Sequence, residues 1–339
     1  MISRACFSNF PIDVVGIGNA IVDILVQTED SFLDRHGLVK GTTTLVNREQ
    51  VAVIQNDYNG LIIKTSGGSA ANTLAGLAQL GSRTGFIGRV RDDQLGIVFT
   101  SDIHSVGTCF NTPPATKGPP TASCLVLITP DAQRTMCTFL GASIQLEPED
   151  LDLLMVQQAK VLYLEGYLWD SLTARRTFLK AAQVCQESGG QVALSLSDSF
   201  CVKRHREGFQ ELIDRYVDML FANESEITTL YSCKDFESAL LQLRGRYCTV
   251  AVLTRGHKGS VVLDKKQRWN ICPYTLGRSV DTTGAGDLYA GGFLHGYTRG
   301  LSLEQCGHLG SVCAGQIVTQ LGSRSKVSLQ NLVRYHLEI

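Results

Sequence analysis

From Glu149 onward, short apolar runs alternate with longer amphipathic ones, and that rhythm restricts the chain to few architectures. KVLYLEG, QVALSLS, VDMLFAN and CTVAVLT are strand candidates. Helical periodicity fills the intervals at Leu172 to Glu187, Arg204 to Tyr216 and Phe236 to Gly245. Strands this continuously apolar are covered on both faces, which predicts a mostly parallel sheet between helical layers. GSVVLDKKQRWNICPY reads as an added hairpin, and helices are expected at Ala285 to Tyr297, Leu303 to Thr319 and Leu329 to His336.

The first half is less regular. DVVGIGNAIVDILVQ is a β-branched run broken by Gly16 and Gly18, and GLVKGTTTLVN alternates like an exposed strand. SGGSAANTLAGLAQLG predicts a glycine turn feeding a helix from about Ser69 to Leu80. TGFIGRV predicts a strand, and DDQLGIVFTSDIHSVG a helix ending at Gly107. Four of the eight prolines fall in NTPPATKGPP, an expected loop. TASCLVLITP and RTMCTFLG then form a hairpin around DAQ, so a small β layer attached to the α/β body is expected.

Composition narrows the partners. Thirty-one basic and 32 acidic residues are interspersed, which argues against nucleic acid or an anionic membrane as the main partner. The 11 cysteines include no C-x-x-C pair or Cys/His cluster, so free thiols in a reducing cytoplasm are expected. MISRACFSNFPIDVV lacks a signal-peptide apolar core, and the charge-free stretch Thr65 to Ser82 is too polar to span a bilayer.

One segment asks for chemistry rather than packing. VDTTGAGDLYAGG places Asp281 and Asp287 around Gly284, Ala285 and Gly286 at the start of a helix rich in small residues. The first amides of a helix lack internal partners and the dipole there attracts anions. Glycines bring that backbone close to a phosphate, and Asp287 on the first turn comes within reach of its attacker. The competing reading is an N-cap acid on a buried helix. Asp23, Asn72 and Glu226 have similarly bland readings as turn, helix-face and first-turn residues. No P-loop G-x-x-x-x-G-K-S/T is present, GIGNAI puts Ile21 where a dinucleotide fold needs its third glycine, and no H-R-D occurs.

The run D-T-x-G-A-G-D resembles the signature of the PfkB/ribokinase family of sugar and nucleoside kinases, matching at Asp281, Thr282, Gly284, Ala285, Gly286 and Asp287. GGSAANT resembles that family's second glycine signature, which assigns Gly67, Gly68, Ser69 and Asn72 to the sugar. GNAIVD resembles its first strand, with Asn19 and Asp23 on sugar hydroxyls. NESE resembles its N-x-x-E motif, which implies that Asn223 and Glu226 organise Mg²⁺ through water. LTRGHKGS resembles its nucleotide loop, adding Thr254, Gly256 and Gly259 to an ATP site completed by Asn223, Thr283, Gly284 and Gly286. The resemblance covers nearly the whole chain. It implies a single ribokinase-like three-layer αβα domain over 1–339, with a mostly parallel sheet and a β-sheet lid from about 20–30, 38–47 and 108–141.

Asp287 is then the expected base, the glycine-turn amides the expected anion hole, and Arg134 the expected closing cation on the lid. A monovalent cation such as K⁺ is expected near Asp281 and Thr283. The chain looks most like adenosine kinases, which places Thr43, Leu45, Cys124, Met136, Leu140, Leu168 and Phe200 around a base. There the usual stacking aromatic aligns with Leu168, between Tyr167 and Trp169. Three functions stay open: a nucleoside kinase, a kinase for a free sugar or sugar acid, and a non-catalytic sensor. Monomer and homodimer both stay open.

Overall fold

The computed structural model describes residues 12–131, 133–244 and 249–337. Two sheets account for its strands. The large one holds β1 (Ile12–Ile17), β5 (Thr84–Ile87), β6 (Thr108–Phe110), β9 (Ala159–Glu165), β10 (Gln191–Ser195), β11 (Met219–Asn223), β12 (Val250–Thr254), β13 (Ser260–Asp264) and β14 (Arg268–Ile271). Its order is β14-β13-β12-β11-β10-β9-β1-β5-β6. Strands from β6 to β12 run parallel, and the hairpin β13–β14 closes one edge antiparallel.

The apolar runs divide between two cores. Along β9, Leu162 and Leu164 face the helices Leu172–Glu187 and Arg206–Tyr216, which contribute Phe178 and Phe209. Val161 and Tyr163 face the opposite layer, where Leu74, Leu77 and Phe293 belong to the helices Ser69–Gln79 and Ala285–Tyr297. Every side chain from β-branched runs such as VLYL is therefore used, one face after the other. The family's three-layer αβα fold is thereby present.

The chain leaves β1 toward β5 and β6 on one side and returns as β9 on the other. Such a reversal opens a crevice beyond the carboxyl ends of the two strands. Asn19, just past β1, and Glu165, closing β9, stand at its base.

The second sheet has the order β3-β8-β7-β2-β4, from β2 (Ile21–Gln27), β3 (Thr43–Leu45), β4 (Ile62–Gly67), β7 (Ala122–Ile128) and β8 (Arg134–Phe139). Register decides which side chains share its face. Leu45, Thr138, Cys124, Asp23 and Thr65 form one cross-strand row, and Thr43, Met136, Val126, Leu25 and Ile63 the next. Val22, Ile24, Val26, Leu125, Leu127 and Cys137 occupy the other face and join the main core.

Several expectations change. The run from Asp13 to Gln27 is two strands of different sheets, because the chain turns at Gly18, Asn19 and Ala20. Residues 62–67 join the small sheet as an additional edge strand, whereas Thr108–Phe110 belongs to the large one. Arg204 to Tyr216 is interrupted at His205, giving helices Ser199–Arg204 and Arg206–Tyr216. The ends expected at Gly245 and Cys248 lie outside the described residues. Among the described residues nine cysteines are free thiols, and no helix is long and apolar enough to cross a membrane.

Candidate active site

Asp287 lies on the first turn of the helix Ala285–Tyr297, partly buried above the crevice. The other glycine motif holds it. Ser69 Oγ donates to one carboxylate oxygen at 2.6 Å and Asn72 Nδ2 to the other at 3.1 Å. Both donors project from the helix Ser69–Gln79, whose N-cap Gly68 has φ 95°. A Cβ there would lie 2.2 Å from the Asn19 carbonyl, so only glycine brings this helix start against the β1 turn. Burial pushes the Asp287 carboxyl up to about 6, against the lowering effect of Ser69, Asn72 and Arg324.

Behind Asp287 the turn has the shape of an anion cradle. Gly284 is left-handed at φ 79°, and a Cβ on it would sit 2.9 Å from the Ser323 backbone. A Cβ on Gly286 would meet nothing within 4 Å, and among the described residues its amide has no hydrogen-bond acceptor outside its helix. The expectation for Ala285 needs correction: its amide donates to the Thr282 carbonyl at 3.1 Å, leaving the amides of Gly284 and Gly286 as the cradle.

Asp23 sits against Gly67, where a Cβ would come within 2.5 Å of its carboxyl atoms. Burial raises its carboxyl to about 6, with Arg324 and Arg134 opposing. Asn19 is 3% exposed and accepts from Ser143 Oγ at 2.8 Å. Arg324 and Asp287 both act electrostatically on Asp23, and Gly68 packs against the Asn19 carbonyl, so these groups stand close to one another.

Three residues of the cleft escaped the sequence reading. Glu165 accepts from Asn19 Nδ2 at 2.7 Å and from the amides of Asn19 at 3.2 Å and Ala70 at 2.8 Å. It ties the β1 turn to the helix holding Ser69 and Asn72, and burial lifts its carboxyl to about 7. Arg324 donates from Nε to Asn72 Oδ1 at 2.9 Å. Nothing local in its segment, QLGSRSK, signals a side chain that reaches Asn72. Ser66, one residue before the paired glycines, receives Arg324 at its carbonyl and hydroxyl, 3.1 and 2.8 Å away.

Arg134 reaches from the small sheet to Asp281, Nη2 to Oδ2 3.0 Å, with both side chains under 10% exposed. Asp281 also accepts from the amides of Thr283 at 3.0 Å and Gly322 at 2.9 Å. The carboxylate expected beside a monovalent cation is thus occupied by a guanidinium and two amides.

On the nucleotide side, Asn223 and Thr254 pair across the carboxyl ends of β11 and β12, and Gly256 and Gly259 shape the turn into β13. Asn223 and Glu226 form a reciprocal cap: Asn223 donates from its backbone at 2.9 Å and Nδ2 at 2.6 Å, and the Glu226 amide returns a bond at 2.9 Å. Burial raises Glu226 to about 7. No group of three or more His, Cys, Asp or Glu side chains that could hold a metal ion occurs among the described residues.

The residues expected around a base scatter. Cys124, Met136, Thr43 and Leu45 share the face of the small sheet that carries Asp23, although Leu45 is 66% exposed. Leu140 ends that sheet and its carbonyl accepts from Ser143. Phe200 is 72% exposed on its short helix. Leu168 is wholly buried in the core that holds Leu162, Phe178 and Phe209, because the 3-10 turn Gly166–Asp170 directs Leu168 and Trp169 inward and Tyr167 outward. It does not line the cleft.

A carboxylate and unpartnered amides converging at a helix start, beneath a second sheet, define a phosphotransferase of the ribokinase fold. The chain belongs to the pfkB family of carbohydrate kinases, whose model matches residues 49–330. It is an ATP-dependent kinase with an alcohol group as acceptor. Adenosine kinase from Sinorhizobium meliloti is 45% identical, with a TM-score of 0.88 over 96% of this chain and 99% of that one. A probable sugar kinase from Rhizobium etli is 41% identical, with a TM-score of 0.90 over 97% and 100%. Adenosine kinase 1 of Arabidopsis thaliana is 23% identical across 93% of this chain and 96% of its own length.

Proposed function

We propose that the protein transfers the γ-phosphate of ATP to the primary hydroxyl of a nucleoside, with adenosine as acceptor. The observation that carries this reading is Asp287, held at both oxygens by Ser69 and Asn72 beside the open amides of Gly284 and Gly286. Asp287 takes the hydroxyl proton as that oxygen bonds to the γ-phosphorus. The bond from phosphorus to the β–γ bridging oxygen breaks, and ADP leaves. General-base help of this kind is worth about 10²- to 10⁴-fold. The Gly284 and Gly286 amides meet charge growing on the phosphoryl oxygens, where one such donor is worth about 3 kcal/mol.

Asn223 and Glu226 would hold Mg²⁺ through water, and the ion would supply neutralisation of phosphate charge. Asn19 and Asp23 take the sugar hydroxyls. Arg134 closes the small sheet onto the body as a lid. The overall similarity to adenosine kinases supports a purine acceptor. One observation favours a free sugar instead: Leu168 lies in the core, which leaves its position without a ring to stack on a base.

A panel of adenosine, inosine, ribose and fructose with ATP separates the two. Adenosine turning over with the highest kcat/KM supports the first reading, and ribose or fructose exceeding it establishes the second. Asp287→Asn is expected to leave acceptor binding nearly intact while turnover drops at least about 100-fold. Turnover near the wild-type rate removes Asp287 from the role of base.

A further inference from the structure

Asp287 is the last member of a hydrogen-bonded chain that begins outside the cleft. Asp102, on the helix Gln94–Ser105, accepts from the Ser66 amide at 2.9 Å and from the Ser66 hydroxyl. Ser66 has no solvent exposure, and its hydroxyl, donating to Asp102, keeps an acceptor lone pair for Arg324 Nη2 at 2.8 Å. Arg324 Nε then donates to Asn72 Oδ1 at 2.9 Å, and Asn72 Nδ2 donates to Asp287 at 3.1 Å. The five residues come from four segments of the chain, Ser66 and Asn72 sharing one.

The logic of the chain lies in donor and acceptor identity. A carboxamide can rotate half a turn and exchange its oxygen for its nitrogen. A guanidinium only donates, so Arg324 accepts the oxygen of Asn72 as partner and rejects the nitrogen. The nitrogen is thereby left facing Asp287, which must receive a donor to keep its carboxylate in place. Arg324 is fixed in turn by the Ser66 carbonyl and hydroxyl, and Ser66 by Asp102.

We propose that Arg324 is a positioning residue for phosphoryl transfer: it locks the Asn72 carboxamide so that Asp287 presents a fixed carboxylate to the acceptor hydroxyl, and Asp102 holds Arg324 through Ser66. This rests on Asp287 being the base. The charged or titratable groups that bear on Asp287 are Asp23 from β2, Tyr163 and Glu165 from β9, Tyr167 from the turn beyond it, and Arg324. Arg134 from β8 acts on Asp23. Arg324 is the cation in that set acting directly on Asp287, so removing its charge raises the Asp287 pKa and moves the acidic limb of kcat to higher pH.

The test compares Arg324→Gln, Arg324→Lys, Asp102→Asn and Asp287→Asn in the full chain, using ATP and adenosine from pH 5 to 9, together with a crystal structure of Arg324→Gln. For Arg324→Gln, kcat at pH 7 is expected to fall about 10- to 100-fold with the KM for ATP within about twofold. Its acidic limb should rise by about one pH unit, and Arg324→Lys should bring that limb back. Asp102→Asn should move kcat in the same direction by less. In the crystal, the Asn72 carboxamide should turn or lose Asp287. Arg324→Gln with the wild-type limb, or with Asn72 and Asp287 unmoved in the crystal, overturns the proposal whatever the acceptor. An inactive Asp287→Asn beside an unaltered Arg324→Gln discards this chain of contacts alone, whereas an active Asp287→Asn discards the base itself. Should Arg324→Gln fail to fold, Asp102→Asn decides: a kcat at pH 7 below wild type with the KM for ATP within about twofold supports the proposal, and a wild-type kcat overturns it.

Discussion

An acid that must accept a proton in the transition state cannot be too weak a base, and its surroundings set that balance at Asp287. Burial pushes its carboxyl up to about 6, while Ser69, Asn72 and Arg324 restrain the rise. The carboxylate is therefore largely ionised at pH 7 and largely protonated at pH 5. We expect kcat to fall about tenfold per pH unit below about pH 6, measured at saturating substrates. A limb centred near pH 4 would mean that a more exposed carboxylate is responsible. The same shift has a cost in stability. A folded-state pKa above the unfolded 3.8 favours the fold at low pH and loses that advantage as pH rises through about 6. Asp287→Asn should therefore unfold at a higher temperature than wild type at pH 8, with the difference shrinking toward pH 4. Gly284→Ala should do the opposite, losing stability and turnover together, because its Cβ enters the Ser323 backbone at 2.9 Å from a left-handed residue.

At the scale of elements, the Arg134–Asp281 pair is a polar tie from the small sheet to the catalytic turn. Arg134→Ala should speed amide hydrogen exchange across β7 and β8 and lower kcat, while β9 and β10 stay protected. Unchanged exchange in residues 121–140 would show that apolar packing alone holds the sheet down. What the sequence disclosed depends on how much each element relies on its neighbours. The body strands were legible because burial on both faces makes them apolar throughout, and the helices Leu172–Glu187 and Ala285–Tyr297 begin and end where periodicity places them. Residues 62–67 were not, since IIKTSG is a half-exposed edge strand whose pattern is set by its pairing with β2. Leu168 was misplaced because one residue of a 3-10 turn changes which way a side chain faces. Asp23, Asn72 and Asp287 were named because the motifs around them resemble those of a known family. Glu165, Arg324 and Ser66 act on partners up to 258 residues away, a relation that local sequence does not display.

The molecule as a whole gathers acids where ordinary packing would exclude them. Burial raises Asp23 and Asp287 to about 6 and Glu165 and Glu226 to about 7, all in or beside one cleft. Between about pH 5 and 7 the folded chain therefore holds protons at these four sites that the unfolded chain has released. His295 opposes them: burial lowers its imidazole to about 4, so the unfolded chain takes up one proton more as pH falls below 6.5. Asp131, held down to about 2 by Lys40 and Thr129, titrates below this window. Four groups against one leave the folded state with more bound protons, and stability must then decrease as pH rises. Thermal unfolding from pH 5.5 to 8 should show a falling midpoint, steepest at the acid end of that range and flattening above about 7. Replacing Glu226, Glu165 and Asp287 singly by their amides should flatten that fall in proportion to the proton each removes. A midpoint that climbs across the same interval would mean these carboxylates are solvated in the folded protein, and that the cleft binds its substrates without the strained charge the structure builds into it.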